Sequence, residues 1–305
     1  MSSMAAARDA DNQPKSSPPA RMLPEAVTRA LARVAWTMFS LGFFAGLWEL
    51  AWAAGWINPR LLPPPHIFLG NFLDQSRNFS PTLRWQGFGM ADAPPPLVNV
   101  LLTMASTTAR VFAGLSLATV LSVMLGVACR WFVAIERLTL PTVIFLAPVS
   151  PIAWLPIAIF LFGIGNKPAV FMVFIALFFA MTIGTITEID RVNKNYLNVA
   201  RTMGATKAQL YSRVILPAIA PGLLVVLRMN MFAAWMVVLL AEATGVGSGL
   251  GQIIMLARNT FNPSLVYFTV TLIGILGFLS DLTLRKVQER FLFWAPNAGH
   301  SRRDR

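Results

Sequence analysis

Ionisable side chains are rare in the apolar segments of this chain, and Arg228 is the most prominent of them. It lies twelve residues after Leu216, about midway along the apolar segment 216–241. An arginine near the middle of a bilayer costs at least about 2.5–3.5 kcal/mol on insertion scales, so it must face protein, a countercharge or a water-filled cavity. Two roles are open from the residues alone: attraction of an anion along a translocation path, or a structural arginine bonded to carbonyl groups.

Two carboxylates, Glu49 and Glu242, lie near the predicted outer ends of apolar segments. Glu242 follows Arg228 by fourteen residues, which on one helix places the two about 40° apart around the axis but roughly 21 Å apart along it. They cannot pair directly, so we expect Glu242 to have a partner elsewhere or to lie near an outer mouth. Because such groups build proton relays, an ion-coupled secondary transporter using Glu49 and Glu242 is the alternative function.

Arg110, which precedes the apolar run 111–128, is expected to snorkel to the outer interface.

Enzymatic chemistry has little support in the sequence. The two histidines are His66 and His300, and neither forms a cluster of metal-ligand spacing with Cys129 or the carboxylates. No paired nucleophile and base is evident. A Gly-x-x-x-x-Gly-Lys-Ser/Thr phosphate loop is missing from the sequence, so we expect this chain not to bind ATP. The chain is therefore predicted to be a non-catalytic protein without metal or cofactor.

The elements that must position these residues are membrane-spanning helices. Of 305 residues, 56% are hydrophobic and 12% are charged, whereas soluble domains are about 25% charged. A span needs about 20 mostly apolar residues. Six segments meet this requirement: 34–56, 97–128, 138–164, 168–187, 216–241 and 264–280. The expected fold class is an all-α membrane protein with about six transmembrane helices.

The distribution of Lys and Arg predicts the orientation. With the amino terminus inside, the inner segments hold 18 of the 25 basic residues and the outer segments hold five, which is the bias typical of cytoplasmic loops. Both termini are therefore predicted to be cytoplasmic, and the net charge of +12 needs no nucleic-acid partner. We expect a disordered cytoplasmic tail at 1–30, a transmembrane domain at 31–292 and a basic cytoplasmic tail at 293–305.

The third predicted span, 138–164, contains four prolines: Pro141, Pro148, Pro151 and Pro156. Each interior proline releases a carbonyl from the helix ladder, which in lipid is tolerated only where protein or a water-filled cavity covers it. A kinked helix buried in protein and a broken helix lining a pathway are both open. The residues predicted along a path are Trp154, Pro156, Arg228, Trp235 and Glu242.

The polar segment between the fourth and fifth spans, residues 194–217 (the inner segment), carries helix start and stop signals. Gly204 is a helix stop that readily adopts positive φ, Thr206 and Gln209 match a capping box, and Pro217 suits the first turn of a span. The pattern predicts helix, turn, helix and membrane entry. A solvated amphipathic linker and a docking surface are both open. Four apolar residues fall at i, i+3, i+4 and i+7 and would share one helix face: Tyr196, Val199, Ala200 and Met203.

The inner segment resembles the cytoplasmic signature of permease subunits of ATP-binding-cassette (ABC) importers, which runs Glu-Ala-Ala, three residues, Gly, nine residues, Ile, one residue, Leu-Pro. The spacing is kept here, with Asn198 in place of the Glu, which removes any ion pair of that Glu with the ATPase. Further motifs resemble the nitrate, sulfonate, taurine and bicarbonate branch of the family. These include Leu-Pro-Pro-Pro at 62–65, Ala-Trp-Leu-Pro at 153–156, Leu-Arg at 227–228 and Ser-Gly-Leu-Gly at 248–251.

The resemblance implies the transmembrane fold of type I ABC importers, with a coupling-helix loop between spans four and five. It implies a bacterial inner-membrane protein, surrounded by lipid, that carries a small anion such as nitrate, sulfonate, taurine or bicarbonate. The implied partners are a second permease copy, with a homodimer favoured over a heterodimer, two cytoplasmic ATPase subunits that bind ATP and Mg, and an extracytoplasmic substrate-binding protein. The residues implied in coupling to the ATPase are Asn198, Ala200, Arg201, Gly204, Ala205, Leu216 and Pro217.

Overall fold

The computed structural model describes residues 25–79 and 95–291, and every element in these ranges is helical. Contacts divide the chain into two units, one that ends at Asn58 and contains α1, and one that begins at Pro59 and contains the other helices. The tails predicted at 1–30 and 293–305 lie largely outside the described residues. The helices are α1 (Glu25–Ala53), α2 (Pro65–Gly70), α3 (Phe72–Arg77), α4 (Pro96–Trp131), α5 (Val133–Leu146), α6 (Leu155–Phe162), α7 (Asn166–Asp190), α8 (Lys194–Thr202), α9 (Lys207–Gln209), α10 (Leu216–Ala241), α11 (Leu250–Asn259) and α12 (Pro263–Phe291).

Four stretches of helix in the described residues are long and apolar enough to cross a membrane. They are α4, α7, the continuous helix Lys207–Thr244 that contains α9 and α10, and Pro263–Arg290 of α12. A fifth span is counted if the bent pair of α5 and α6 crosses as one unit. The all-α membrane architecture is thus confirmed in these ranges, whereas the count of six spans stays a prediction.

The third predicted span is broken. Its helix ends at Leu146 and resumes as a 3₁₀ turn at Pro151–Trp154 followed by α6, and the two halves are bent by 106°. Ser150 has an extended backbone, with φ −57° and ψ 134°, which is the conformation that the ring of a following proline favours over the helical one. The broken helix was one of the two open interpretations, and it replaces the simple kink. Its place along a pathway stays a prediction.

Three spans, α4, α7 and α10, enclose the main hydrophobic core. Its central side chains are fully buried and include Val111 of α4, Met172 of α7 and Met231 of α10. Two glycines of α4 allow the helices to approach closely, as small residues do between membrane helices. A Cβ atom on Gly114 would lie 2.5 Å from the Cβ of Val173, and one on Gly126 would lie 2.7 Å from Cγ2 of Thr185.

Candidate functional site

The first half of the inner segment folds as its sequence predicts. Asn193 caps α8 by accepting a 2.9 Å hydrogen bond from the backbone N–H of Asn195. The helix ends at Thr202, and Gly204 two residues later has a φ of +79°, in the left-handed region. The N–H of Ala205 then donates to the carbonyl of Ala200 at 3.0 Å, which closes the end of the helix.

The second half contains the predicted capping box. The N–H of Gln209 donates to Oγ1 of Thr206 at 3.3 Å, and the N–H of Thr206 donates to Oε1 of Gln209 at 2.9 Å. The chain continues through a π-helical stretch, Leu210–Ile215, directly into α10. Pro217 is the second residue of α10, but it lies inside the continuous helix Lys207–Thr244 and not at a helix start as predicted. The π-helical stretch precedes this proline, where local changes in the ladder accommodate its missing N–H.

The helix α8 has two different apolar faces. Leu197 and Ala200 pack against a small core formed by Ile189, Leu210, Ile215 and Ile219. The other face points outward, with exposed fractions of 62% for Tyr196, 59% for Val199 and 82% for Met203. These three residues are the exposed face of α8. A large apolar stripe on a polar loop marks a contact surface more often than a solvated linker.

The residues implied in ATPase coupling differ in their exposure. Asn198, Arg201, Gly204, Leu216 and Pro217 are exposed, whereas Ala200 and Ala205 are half-buried. All seven residues belong to the inner segment, and five of them are accessible to a partner. Their contact with an ATPase stays a prediction.

A junction centred on Arg130 ties the inner segment to three helices. The Arg130 guanidinium, at the end of α4, donates to both carboxylate oxygens of Asp190 at the end of α7 and to Glu136 of α5. The hydroxyl of Tyr211 donates to the Arg130 carbonyl at 2.7 Å, and its ring lies 4.8 Å from that of Trp131. Sequence reasoning missed this junction, because the partners are 81 and 60 residues apart.

On the predicted outer side, Arg110 lies inside the protein rather than at the interface. The prediction that it snorkels is wrong, since its side chain is 4% exposed and its guanidinium makes five hydrogen bonds. These use every N–H of the group. The acceptors are Glu242, Asn166 Oδ1, and the carbonyl and hydroxyl oxygens of Ser248.

Glu242 is fully buried opposite Arg110, and it has the distant partner that its sequence position predicted. Its second oxygen accepts from Oγ1 of Thr107 at 3.1 Å and from the N–H of Gly251 at 3.0 Å. We call Thr107, Arg110, Asn166, Glu242 and Ser248 the Arg110 network. It joins α4, the start of α7 and the turn before α11, and its single cation and single carboxylate leave it neutral.

Glycines make room for this network. A Cβ atom on Gly249, where φ is +109°, would lie 2.2 Å from the carboxyl carbon of Glu242. A Cβ atom on Gly251 would lie 2.2 Å from the Leu239 carbonyl oxygen. The Ser-Gly-Leu-Gly motif at 248–251 is thus a tight turn shaped around a buried carboxylate.

Arg228 pairs with a carboxylate that sequence reasoning did not single out. Its Nε and Nη2 atoms donate to the two oxygens of Asp281 on α12, the second at 3.1 Å. Arg285, four residues later, donates to the same carboxylate from Nε at 2.8 Å. Asp281 is 7% exposed, whereas Arg228 is 34% and Arg285 is 44% exposed. We call these three residues the Arg228 cluster.

The other predicted path residues have different surroundings. Trp235 is buried in the main core, and its indole N–H has no hydrogen-bond partner in the described ranges. Trp154 borders the same core, and Pro156 is exposed. The structure does not bring Glu242 to Arg228. Residues 25–79 and 95–291 contain no group of three His, Cys, Asp or Glu side chains that could hold a metal ion.

Residues 97–292 match the family described as binding-protein-dependent transport system inner membrane component. Over 189 residues the chain is 32% identical to a probable ABC transporter permease of Brucella abortus, covering 62% of this chain and 76% of that protein. It is 26% identical to the taurine transport system permease TauC of Escherichia coli, covering 84% and 89%. A structure of the inward-facing MetNI methionine ABC transporter matches with a TM-score of 0.50 and 19% identity over 62% of this chain and 92% of that one, which indicates a shared fold.

Proposed function

The chain belongs to the family of binding-protein-dependent transport system inner membrane components, the permease subunits of ABC importers, and we propose that it forms the path for a small anion. In this proposal a separate substrate-binding protein delivers the solute, and two ATPase subunits bind and hydrolyse ATP with Mg. Two copies of this chain, most simply a homodimer, would enclose the path. Both termini would lie in the cytoplasm, so that the inner segment faces the ATPases.

The exposed face of α8 carries this proposal. Tyr196, Val199 and Met203 offer an apolar surface that the rest of the described chain leaves uncovered, on a segment that also carries the spacing of the ABC permease signature. A helix of this kind suits a groove in a partner, because its apolar residues would be removed from water on binding. Asn198 offers an amide where related permeases have a carboxylate, so docking would rest on shape and apolar contact.

The helix α8 is connected to the membrane span α10 by direct packing contacts. Leu197 and Ala200 pack on Leu210, Ile215 and Ile219, and these belong to the helix that continues as α10. A displacement of α8 by the ATPases would therefore act on α10 through packed side chains. Alternating access would follow if the spans rotate with it, with Gly204 as the hinge of the inner segment.

An anionic solute is supported by charge and by chemistry. The Arg228 cluster joins two cations and one carboxylate between α10 and the second half of α12. Taurine, for which one relative is named, carries a negatively charged sulfonate group. Anions such as nitrate, sulfonates and bicarbonate share this charge and a planar or tetrahedral set of oxygens that guanidinium groups bind.

The ion-coupled alternative loses support from the surroundings of Glu242. A proton relay needs a carboxylate with access to water, whereas this one is fully buried and both of its oxygens accept hydrogen bonds. Of the two carboxylates that could serve an ion-coupled transporter, Glu49 of α1 is the one that remains.

The direct test is the composition of the native complex. The tagged chain is purified in mild detergent, and the intact mass and ATPase activity of the complex are measured. We expect two copies of this chain with two nucleotide-binding subunits and ATP hydrolysis that responds to a binding protein. A lone chain without ATPase, under conditions that preserve a known ABC importer, would contradict the proposal and favour ion coupling.

A further inference from the structure

Two arginine–carboxylate sites in this protein, each with a buried carboxylate, are built in opposite ways. In the Arg110 network one cation meets one carboxylate, all five N–H groups of the arginine are bonded and the side chain is 4% exposed. Such a closed, neutral arrangement is what a structural pair requires, because unsatisfied buried charge is costly. It provides an internal standard for the second site.

The Arg228 cluster departs from this standard in charge. Arg228 and Arg285 share the single carboxylate of Asp281, which leaves a net charge of +1. Arg228 lies about 18 Å along α10 from Leu216 and about 20 Å from Ala241, near the middle of the span. Asp281 lies about 15 Å from the end of α12 at Phe291. Arg285, four residues nearer that end and beyond the predicted span 264–280, lies about 9 Å from it. The surplus cation of the cluster therefore needs water or a mobile anion as its partner.

The cluster also departs from it in hydrogen bonding. The two guanidinium groups of the cluster carry ten N–H donors. Three of these donors are hydrogen-bonded to Asp281. In the ranges that the structure describes, the other donors of Arg228 and Arg285 make no hydrogen bond. The two guanidinium groups are also the accessible part of the cluster, since Asp281 is 7% exposed.

A further free donor lies on the same face of α10. Trp235 is seven residues beyond Arg228, so it lies about 20° away around the helix and about 10 Å further toward the predicted outer end. Its indole N–H has no hydrogen-bond partner in the described part of the chain, although the residue is 5% exposed. The same face of α10 thus carries an unused donor inside the main core and, one heptad further inward, a surplus cation.

We propose that Arg228 and Arg285 form a transient binding site for the anionic group of the transported solute, and that Asp281 competes with that anion for both arginines. The proposal rests on the function inferred above and adds the site and its release mechanism. A path site must bind strongly enough for the solute to enter and weakly enough for it to leave. Without Asp281, the two arginines would hold an oxyanion too strongly to release it. With Asp281 beside them, its carboxylate accepts the arginine hydrogen bonds that the departing anion gives up.

The test measures binding of radiolabelled methanesulfonate by equilibrium dialysis, with the native complex in phosphatidylcholine nanodiscs. Methanesulfonamide, which has a similar shape and no charge, is the matched competitor. Removal of the competing carboxylate in Asp281→Asn is expected to tighten methanesulfonate binding at least about tenfold, because a unit charge a few ångströms away is lost. The control Glu188→Gln makes the same change of charge at the separate pair with Arg191, and its affinity should match that of the wild type.

A second variant keeps the test decisive if Asp281→Asn does not fold. Arg285→Gln leaves the Arg228–Asp281 pair intact and makes the cluster neutral, so methanesulfonate binding should fall at least about tenfold. The proposal is overturned if a folded Asp281→Asn binds no more tightly than Glu188→Gln, or if Arg285→Gln binds like the wild type. It is also overturned if methanesulfonamide competes equally, or if phosphatidylglycerol nanodiscs abolish binding, which would assign the cluster to a lipid headgroup.

Failure of this site and failure of the importer function are separable. ATPase content and ATP-dependent hydrolysis are measured on the same preparations. A complex that contains ATPase subunits but shows none of these affinity changes overturns the anion site alone.

Discussion

Arg110 and Glu242 form an ion pair inside the protein although 132 residues separate them in the sequence. The side chains are 4% and 0% exposed, and the pair fastens the turn before α11 to α4. Its neutrality and full hydrogen bonding make it the fixed element of the predicted outer half.

The first prediction concerns Glu242→Gln. The change leaves the Arg110 charge buried without its counterion, which typically costs about 3–5 kcal/mol. We expect a large loss of stability, measured as thermal unfolding of the detergent-solubilised chain. Asp74→Asn is the matched control, because the Asp74–Arg77 pair is exposed and should contribute about 0–1 kcal/mol. Equal effects of the two changes would show that the Arg110 network contributes no more than a surface pair.

The second prediction compares two glycines within helices. Gly251→Ala should destabilise the chain, because the new methyl group would lie 2.2 Å from the backbone oxygen of Leu239. Gly277→Ala should stabilise it by about 0.5–1 kcal/mol, because nothing lies within 4 Å of that position and alanine is the better helix former. Opposite signs in urea or thermal unfolding confirm the steric role of Gly251, and a neutral Gly251→Ala would refute it.

The third prediction concerns the hydroxyl of Tyr211. Tyr211→Phe keeps the ring against Trp131 and removes the hydrogen bond to the Arg130 carbonyl, so stability should fall by about 0.5–1.5 kcal/mol. Tyr196→Phe, on the exposed face of α8, should leave stability unchanged. If both variants unfold like the wild type, the Arg130 junction does not hold the inner segment.

Local signals in the sequence predicted the inner segment well. The positive φ of Gly204 and the Thr206–Gln209 capping box depend on residues within one or two turns, so their spacing suffices to identify them. The break between α5 and α6 was one of the two interpretations open from the sequence, since Pro148 and Pro151 lie within one helical turn of each other.

Long-range pairs could not be predicted in the same way. A single sequence does not fix the rotation and register of one helix against another, so neither Arg110–Glu242 nor Arg228–Asp281 could be derived. The error on Arg110 has this origin. Its position before an apolar run is typical of an interface residue, whereas its burial depends on Asn166 and Ser248, which lie 56 and 138 residues away.

The fourth prediction concerns docking of the ATPase. Val199→Asp places a charge in the centre of the exposed face of α8 and should reduce the ATPase subunits that co-purify with the chain, because burying that charge opposes association. Stability of the chain itself should not change, since Val199 is 59% exposed. Asn198→Glu is the comparison, as it restores the residue of related signatures, and it should retain the ATPase. Full ATPase content in Val199→Asp would exclude this face as the contact.

The central claim, that the inner segment couples ATP hydrolysis to transport, is tested most directly at Gly204. Uptake per ATP hydrolysed is measured in the reconstituted complex for Gly204→Val and Gly204→Asn. There is open space around Gly204, but its φ of +79° strains a β-branched residue, while asparagine tolerates this conformation. We predict that Gly204→Asn couples ATP hydrolysis to uptake nearly as well as the wild type. In Gly204→Val we predict that ATP is still hydrolysed but no longer drives uptake. Normal uptake in Gly204→Val would contradict the claim.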